Sequence, residues 1–507
     1  DSWKINRRLL MEYGMRFTWY NQMYPAKKGE QGILALDRYD PKKAPVFYRP
    51  AFDSTGKRMA LNPLTGQFLA ATYIGAFVPG TGDPGNGGVV SGDTSYPRGF
   101  QDQQPVLYGP RVGFSYDPFG KGKTAIRAAA AILYNYRLSK WNPTTKNPPV
   151  IFTPITYYGN LGTYLQSAGV LGPSNTNSYF RGSKTPTAYN LSFAIEQDLG
   201  RATLLNVSYA GTLGRHTMQS RNLNIIPYGA RFLPQNQDPT NPGKPLPDNF
   251  MRPYPGYNNL TFYDPAFSSN YHALLVSLSR RFARGLQFGV AYTYSKFMTY
   301  TGIPIYQDRR VWSYGKDGGD ETHNLVSNFT WAVPKASKLA PNRVVRYALD
   351  DWALSGIVTF ASGRPSGVGF STTDGTDMNG GGDGQRIIVT GKAPLSRGDR
   401  SFSRWFNTSV FARPPMGSAG NAPKDVYRNP GVNSWDLSIF KNFPVKSERR
   451  YFQFRWEMYN AFNHTQFSGV DSTARFDLQG NQVNARFGQV TSTRTPRVMQ
   501  GALRFTF

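Results

Sequence analysis

Residues Phe452 to Tyr459 read FQFRWEMY, and residues Met499 to Phe507 read MQGALRFTF. In the first, Phe452, Phe454, Trp456 and Met458 alternate with Gln453, Arg455, Glu457 and Tyr459. In the second, Gly501, Leu503, Phe505 and Phe507 alternate with Gln500, Ala502, Arg504 and Thr506. A period of two is the signature of a β-strand with two different faces. Between two dry layers the first segment would bury an arginine and a glutamate, a cost that a water-filled interior removes. Both segments therefore predict strands with one apolar and one wet face.

The same alternation recurs upstream. Leu9, Met11, Tyr13, Met15, Phe17 and Trp19 alternate with Leu10, Glu12, Gly14, Arg16 and Thr18. Further strands are predicted around Arg111–Tyr116, Ile126–Ile132, Tyr189–Glu196, Leu205–Tyr209, Leu274–Leu278 and Leu286–Tyr294, with less regular ones at Leu325–Val333, Trp352–Phe360 and Trp435–Ile439. Short joins alternate with long ones, the long ones covering about 21–105, 137–187, 213–269, 299–321, 364–431 and 461–496. That rhythm is the one expected of an outer-membrane barrel, with short periplasmic turns and long external loops. Counting a strand tail at Asp1–Ile5 gives about thirteen strands, an odd number where bacterial barrels are even. The chain is accordingly expected to begin inside a larger barrel, and Asp1–Arg8, which holds no apolar signal region, is not expected to be the natural start. A soluble propeller would show a repeat of about 40–50 residues, and none is apparent.

Composition narrows the alternatives. Of 507 residues 39% are apolar and 15% aromatic, and no apolar run approaches the roughly 18 residues of a membrane helix. A membrane span must then be a closed barrel, in which only alternate residues meet lipid. The chain has no Cys and four well-separated His, which leaves little from which to build a metalloenzyme centre. The net charge of +27 is spread along the chain with no RNP-like, zinc-finger or basic-helix pattern, so the charges are assigned to loops, a wet lumen and lipid phosphates, and nucleic acid is not an expected partner.

Asn433–Phe443 (NSWDLSIFKNF), Phe452–Phe467 (FQFRWEMYNAFNHTQF) and Phe487–Phe507 (FGQVTSTRTPRVMQGALRFTF) resemble the closing strands of Oar-like TonB-dependent transporters. So do Gly109–Tyr116 (GPRVGFSY), Thr185–Gln197 (TPTAYNLSFAIEQ), Asn270–Phe282 (NYHALLVSLSRRF) and Asp351–Arg364 (DWALSGIVTFASGR). The resemblance covers nearly all of residues 1–507. It implies an all-β transmembrane antiparallel barrel of about 22 strands, with an N-terminal plug and a TonB-contact segment that match no stretch of this sequence. It implies the outer membrane of a Gram-negative bacterium as location. It implies as partners the membrane lipid and lipopolysaccharide, TonB through the missing N-terminal region, and the barrel assembly machinery.

Leu503, Phe505 and Phe507 look like the C-terminal assembly signal of such barrels. Arg16, Arg111, Arg127, Arg455, Glu457 and Arg504 fall on the wet phase and are expected to face the lumen. The loop Thr373–Gly384 (TDGTDMNGGGDG) offers Asp374, Asp377, Asn379 and Asp383 as candidate calcium ligands in an external loop. Its spacing is not that of an EF-hand, and a flexible solvated loop is the plainer expectation. Asp317 and Asp320 flank a weaker candidate, and Val78–Gly92 lacks the spacing of a phosphate loop. No nucleophile elbow is present, so no enzyme is expected and no other cofactor. The expected function is TonB-dependent transport of a large or scarce substrate, by uptake or protein export. The alternatives are a surface scaffold or adhesin anchored by the barrel, and an ungated porin.

Overall fold

The computed structural model describes residues 1–21, 27–135, 148–163, 166, 169–182, 184–300, 313–445 and 447–507. Among these residues thirteen strands make one antiparallel wall in chain order. They are β1 (Ser2–Lys4), β2 (Leu9–Thr18), β3 (Leu107–Tyr116), β4 (Thr124–Tyr134), β5 (Thr187–Gly200), β6 (Thr203–Asn222) and β7 (Tyr257–Ala283). After these come β8 (Leu286–Tyr300), β9 (His323–Ala332), β10 (Trp352–Ala361), β11 (Val432–Val445), β12 (Ser447–Tyr459) and β13 (Val498–Thr506). Successive strands pair throughout, and β1 and β13 form the two edges. Ser174–Tyr179 adds in parallel to the far end of β7, and Tyr314–Lys316 adds to β8.

Register sets the two faces. Phe452 lies opposite Phe505, Phe454 opposite Leu503 and Trp456 opposite Gly501, while Gln453 meets Arg504, Arg455 meets Ala502 and Glu457 meets Gln500. The apolar row continues from Trp456 through Ile439, Leu354 and Trp331 to Leu286. None of this row is buried, Trp331 being 41% exposed and Trp456 37%, and toward the edge strands the same face is more open, with Leu503 68% exposed and Phe17 67%. Large side chains that are fully buried include Phe406, Phe476, Ile33, Leu34, Ile226 and Leu260, all in or next to the long connections. A wall with its apolar groups outward and its cores elsewhere is stable only where lipid covers that face. No helix among the described residues is long and apolar enough to cross a membrane.

Aromatic rings mark both rims of this face. At the short-turn end Phe452, Phe505 and Phe507 form a chain of contacts, and Tyr347 meets Phe443. Trp352 and Trp331 also lie toward that end. At the long-connection end Tyr292 and Tyr294 both contact His323, and Trp435 packs on Phe360 and Phe462. Such rings suit the membrane interface, where one edge is apolar and the other wet. Lys441 breaks the apolar phase near the short-turn rim, and its ammonium resolves the conflict by reaching the carbonyl of Asp350, 5.3 Å from the Phe443 ring and 5.7 Å from that of Trp352.

Connections on one side span 5–8, 117–123, 201–202, 284–285 and 333–351, the last holding the helix Arg343–Leu349 capped by the Asn342 side chain. Those on the other side span 19–106, 135–186, 223–256, 301–322, 362–431 and 460–497. One boundary is corrected: the expected loop 213–269 is strand at both ends, because β6 and β7 pair on to Asn222–Thr261, through bulges between Gly214 and Gln219 that break the alternation.

The long connections fold against one another. Val368, Ile387, Phe406, Phe411 and Tyr427 of one share a core with Ala474, Phe476 and Phe487 of the next. Gly369–Thr372 pairs in parallel with Thr473–Phe476 to tie the two together. Ile33, Val89, Tyr96 and Phe100 of the first long connection close over Tyr179 of the second.

Candidate functional site

On the polar face of the wall, glycines stand opposite long charged side chains between β2 and β3. Gly14 lies opposite Arg111 and Gly109 opposite Arg16. A Cβ on Gly14 would stand 3.2 Å from the Arg111 Nε, so the guanidinium stem lies flat over the neighbouring strand. One strand further on, Arg127 pairs with Glu196 at 2.9 Å, and Glu196 also accepts from the Asn206 side chain. At the other edge Arg455 sits 4.8 Å over the Phe440 ring and 3.4 Å from Glu457. Glu457 is further engaged by Gln500 and, at 3.4 Å, by the Tyr459 hydroxyl. Arg504 stands opposite Gln453.

The six candidate lumen residues thus share the polar phase but fall into two groups. Arg16, Arg111 and Arg127 lie on β2, β3 and β4, and Arg455, Glu457 and Arg504 on β12 and β13. Adjoining the second group, over β8 to β12, the same face carries a depression of about 420 Å³ lined by Gln287, Asn328, Thr330, Ser355, Asp436, Ser438 and Glu457. Hydroxyls, amides and two carboxylates there offer hydrogen bonds and weak negative charge to whatever occupies the interior. Sequence reading marked Glu457 but missed the others, because short polar residues on alternate positions carry no motif.

At the long-connection end the acidic loop is held in place. Arg231, from the connection 223–256, reaches Asp377 at 2.9 Å, Asp248 at 3.1 Å and the Gly381 carbonyl at 2.8 Å. The Arg231 guanidinium is desolvated by burial, but Asp377 and Asp248 outweigh this and keep it more basic than usual. Met378 is buried, and Gly229 and Gly382 complete backbone bonds to Asn379 and Ile226. Thr373–Gly384 is therefore a docked loop rather than a freely solvated one.

The candidate calcium ligands carry hydrogen bonds within their own loop. Asp374 accepts from the Thr376 hydroxyl and N–H, Asp377 from the N–H groups of Asn379 and Gly380, and the Asn379 amide donates to the Asp383 carbonyl. Asp320 is buried against Arg428 and accepts from Phe297 N–H, while Asp317 accepts from the Thr299 hydroxyl. Among the described residues no three His, Asp or Glu side chains come together as a metal-binding group. Phe507 lies at the short-turn rim with its ring 6.0 Å from that of Phe505.

An amphipathic up-and-down wall, open apolar groups outside and charged groups inside, defines an outer-membrane β-barrel. The family model described as "Outer membrane beta barrel domain" matches residues 1–500, and the chain belongs to that family. Its location is the outer membrane of a Gram-negative bacterium. Among solved structures it is similar to the outer membrane transporter YddB from Escherichia coli (9% identity, TM-score 0.39, 79% of this chain and 41% of that one). It is also similar to the siderophore receptor PiuA from Acinetobacter baumannii (8%, 0.40, 99% and 42%) and the FrpB iron transporter from Neisseria meningitidis (11%, 0.37, 79% and 40%). The chain spans about two fifths of the length of these structures. The curated proteins contain no match.

Proposed function

We propose that this chain is the C-terminal portion of the barrel of a TonB-dependent outer-membrane transporter, with its polar face lining a gated passage and its long connections forming the external mouth. The observation that carries the reading is the polar face: charged side chains toward both ends of the wall, Arg111 laid over Gly14 at one and Arg455 over Phe440 at the other, with a hydrogen-bonding depression on the same face. A passage for a polar cargo, or for a plug that is itself polar, needs that lining. TonB dependence rests on the resemblance of the closing strands, and TonB itself would be met by a region preceding residue 1. Leu503, Phe505 and Phe507 would be read by the assembly machinery.

The test is conductance of the natural full-length protein in a planar bilayer. A gated transporter stays closed at rest and conducts when mild denaturant loosens its plug. A protein open at rest is a porin, and one closed under both conditions is an anchored scaffold; either result ends the transporter reading.

A further inference from the structure

A cleft of about 880 Å³ opens where β9, β10 and β11 meet the connections 362–431 and 460–497. The larger strand side chains that line it, His323, Phe360 and Asn433, lie on the apolar phase, since Leu325 faces Tyr292 and Phe360, and Phe360 faces Asn433; only the small Ala361 and Val432, paired at the strand ends, lie on the other. Asn324, Glu321 and Arg364, which bond to one another on the opposite phase, do not line it. The cleft therefore lies on the outside of the wall, at the rim marked by Tyr294 and Trp435, which is the level of the outer-leaflet headgroups.

Its chemistry is one-sided. Arg397, Arg400 and Arg428 line it together with His323 and His464, and no Asp or Glu does. Arg428 is structural, matched by the buried Asp320 and bonded to Thr322 at 2.6 Å and to the Gly363 carbonyl at 2.7 Å. Arg397 and Arg400 differ, since no ion pair among the described residues engages either. The neighbouring Asp399 accepts from the Ser396 hydroxyl instead. Arg400 is positioned 5.3 Å over the Trp405 ring, whose N–H is fixed on the Arg428 carbonyl at 2.7 Å. Trp405 in turn meets Phe467 edge to face. Two guanidiniums without an ion-pair partner, that of Arg400 with its Nε on the Leu395 carbonyl at 3.1 Å, thus stand beside an aromatic floor of Trp405 and Phe467.

We propose that this cleft binds the phosphorylated saccharide headgroup of an outer-leaflet glycolipid, with Arg397 and Arg400 on a phosphate and Phe360, Trp405 and Phe467 against the sugar and the first acyl carbons. Guanidinium forks match phosphate oxygens, and aromatic faces suit the sugar ring and the chain below it. This does not depend on what, if anything, the barrel transports.

The full-length protein in nanodiscs would be titrated with bisphosphorylated lipid A, with the same glycolipid after removal of both phosphates, and with inorganic phosphate as competitor. The unaltered chain should bind the phosphorylated form at least about tenfold more tightly, and millimolar inorganic phosphate should not displace it. Arg397→Ala with Arg400→Ala should weaken binding roughly thirty-fold, while Lys42→Ala with Lys43→Ala, in a different connection, should leave it unchanged. Folding of each variant is checked by heat-modifiable mobility. Equal binding of the two glycolipids by the unaltered chain overturns the proposal even if the double variant fails to fold. Full displacement by inorganic phosphate would show a free-anion site instead and overturns it too, as would unchanged binding by the folded double variant.

Discussion

Arg231 and Asp377 meet at 2.9 Å across two connections that are 146 residues apart in sequence. Asp377 is half exposed and Arg231 less so, which places the pair between a surface bridge and a buried one. Arg231→Ala should therefore cost little global stability, about 1 kcal/mol. It should instead release Thr373–Gly384 from 225–232, seen as faster amide hydrogen exchange in both segments and unchanged exchange in β12 and β13.

Gly363 makes the opposite case, since its role is space. A Cβ there would stand 1.5 Å from the Asn429 carbonyl oxygen, and only backbone movement can relieve that. Gly363→Ala should displace Asn429 and the adjoining Arg428, losing about 2 kcal/mol or more. The measurement is the protease sensitivity of 362–431 in the folded barrel, which should rise sharply. Gly384→Ala, which meets nothing within 4 Å, is the neutral comparison.

Asp238 gives a pH dependence outside the membrane-spanning segments. Burial pushes its carboxyl up, but the Thr240 hydroxyl, Arg58 and the Thr240 N–H outweigh this and hold it below the usual carboxylate range. Arg58 reaches it at 2.7 Å. A carboxylate depressed in the folded state stabilises it above the unfolded value of about 3.9 and loses that contribution as pH falls through the lower folded value. Hydrogen-exchange protection in 49–61 and 234–246 should thus hold from neutral pH to about 4 and decline below it. Asp238→Asn should lower protection at neutral pH and flatten the decline.

Phe507 should matter more for assembly than for stability. Its ring is 93% exposed and touches Phe505 at the end of an edge strand, so its removal costs few contacts. Deleting Phe507 or replacing it with Asp should reduce heat-modifiable, surface-exposed protein at equal synthesis, with little change on refolding in detergent. Equal insertion would reduce Phe507 to an ordinary lipid-facing residue.

The wall was legible in the sequence because its constraint is local. Leu503 and Phe505 declare their face through their own neighbours, and Phe452 and Phe454 independently declare the facing one. The loop cores were not legible, because Phe406 finds Phe487 and Ile226 finds Gly382 across long separations without periodicity. Thr373–Gly384 read as a free acidic loop since Arg231 lies in another connection. Arg397 and Arg400 read as dispersed charge for the same reason, and only the fold brings them beside His323 and Phe360. Bulges near His216 hid the full length of β6 and β7.

Residues 1–507 contain no cysteine, so single cysteines at 452 to 457 and 501 to 505 can carry a spin label with no background from this part of the protein, which makes the central claim directly measurable. In a bilayer, collisions with oxygen report lipid and collisions with a water-soluble nickel chelate report water. Labels at Phe452, Phe454, Trp456, Leu503 and Phe505 should show high oxygen and low nickel access, and those at Gln453, Arg455, Glu457 and Arg504 the reverse, alternating residue by residue. Absence of that alternation, or its inversion by a one-residue slip in register, would contradict a transmembrane wall with its apolar face outward.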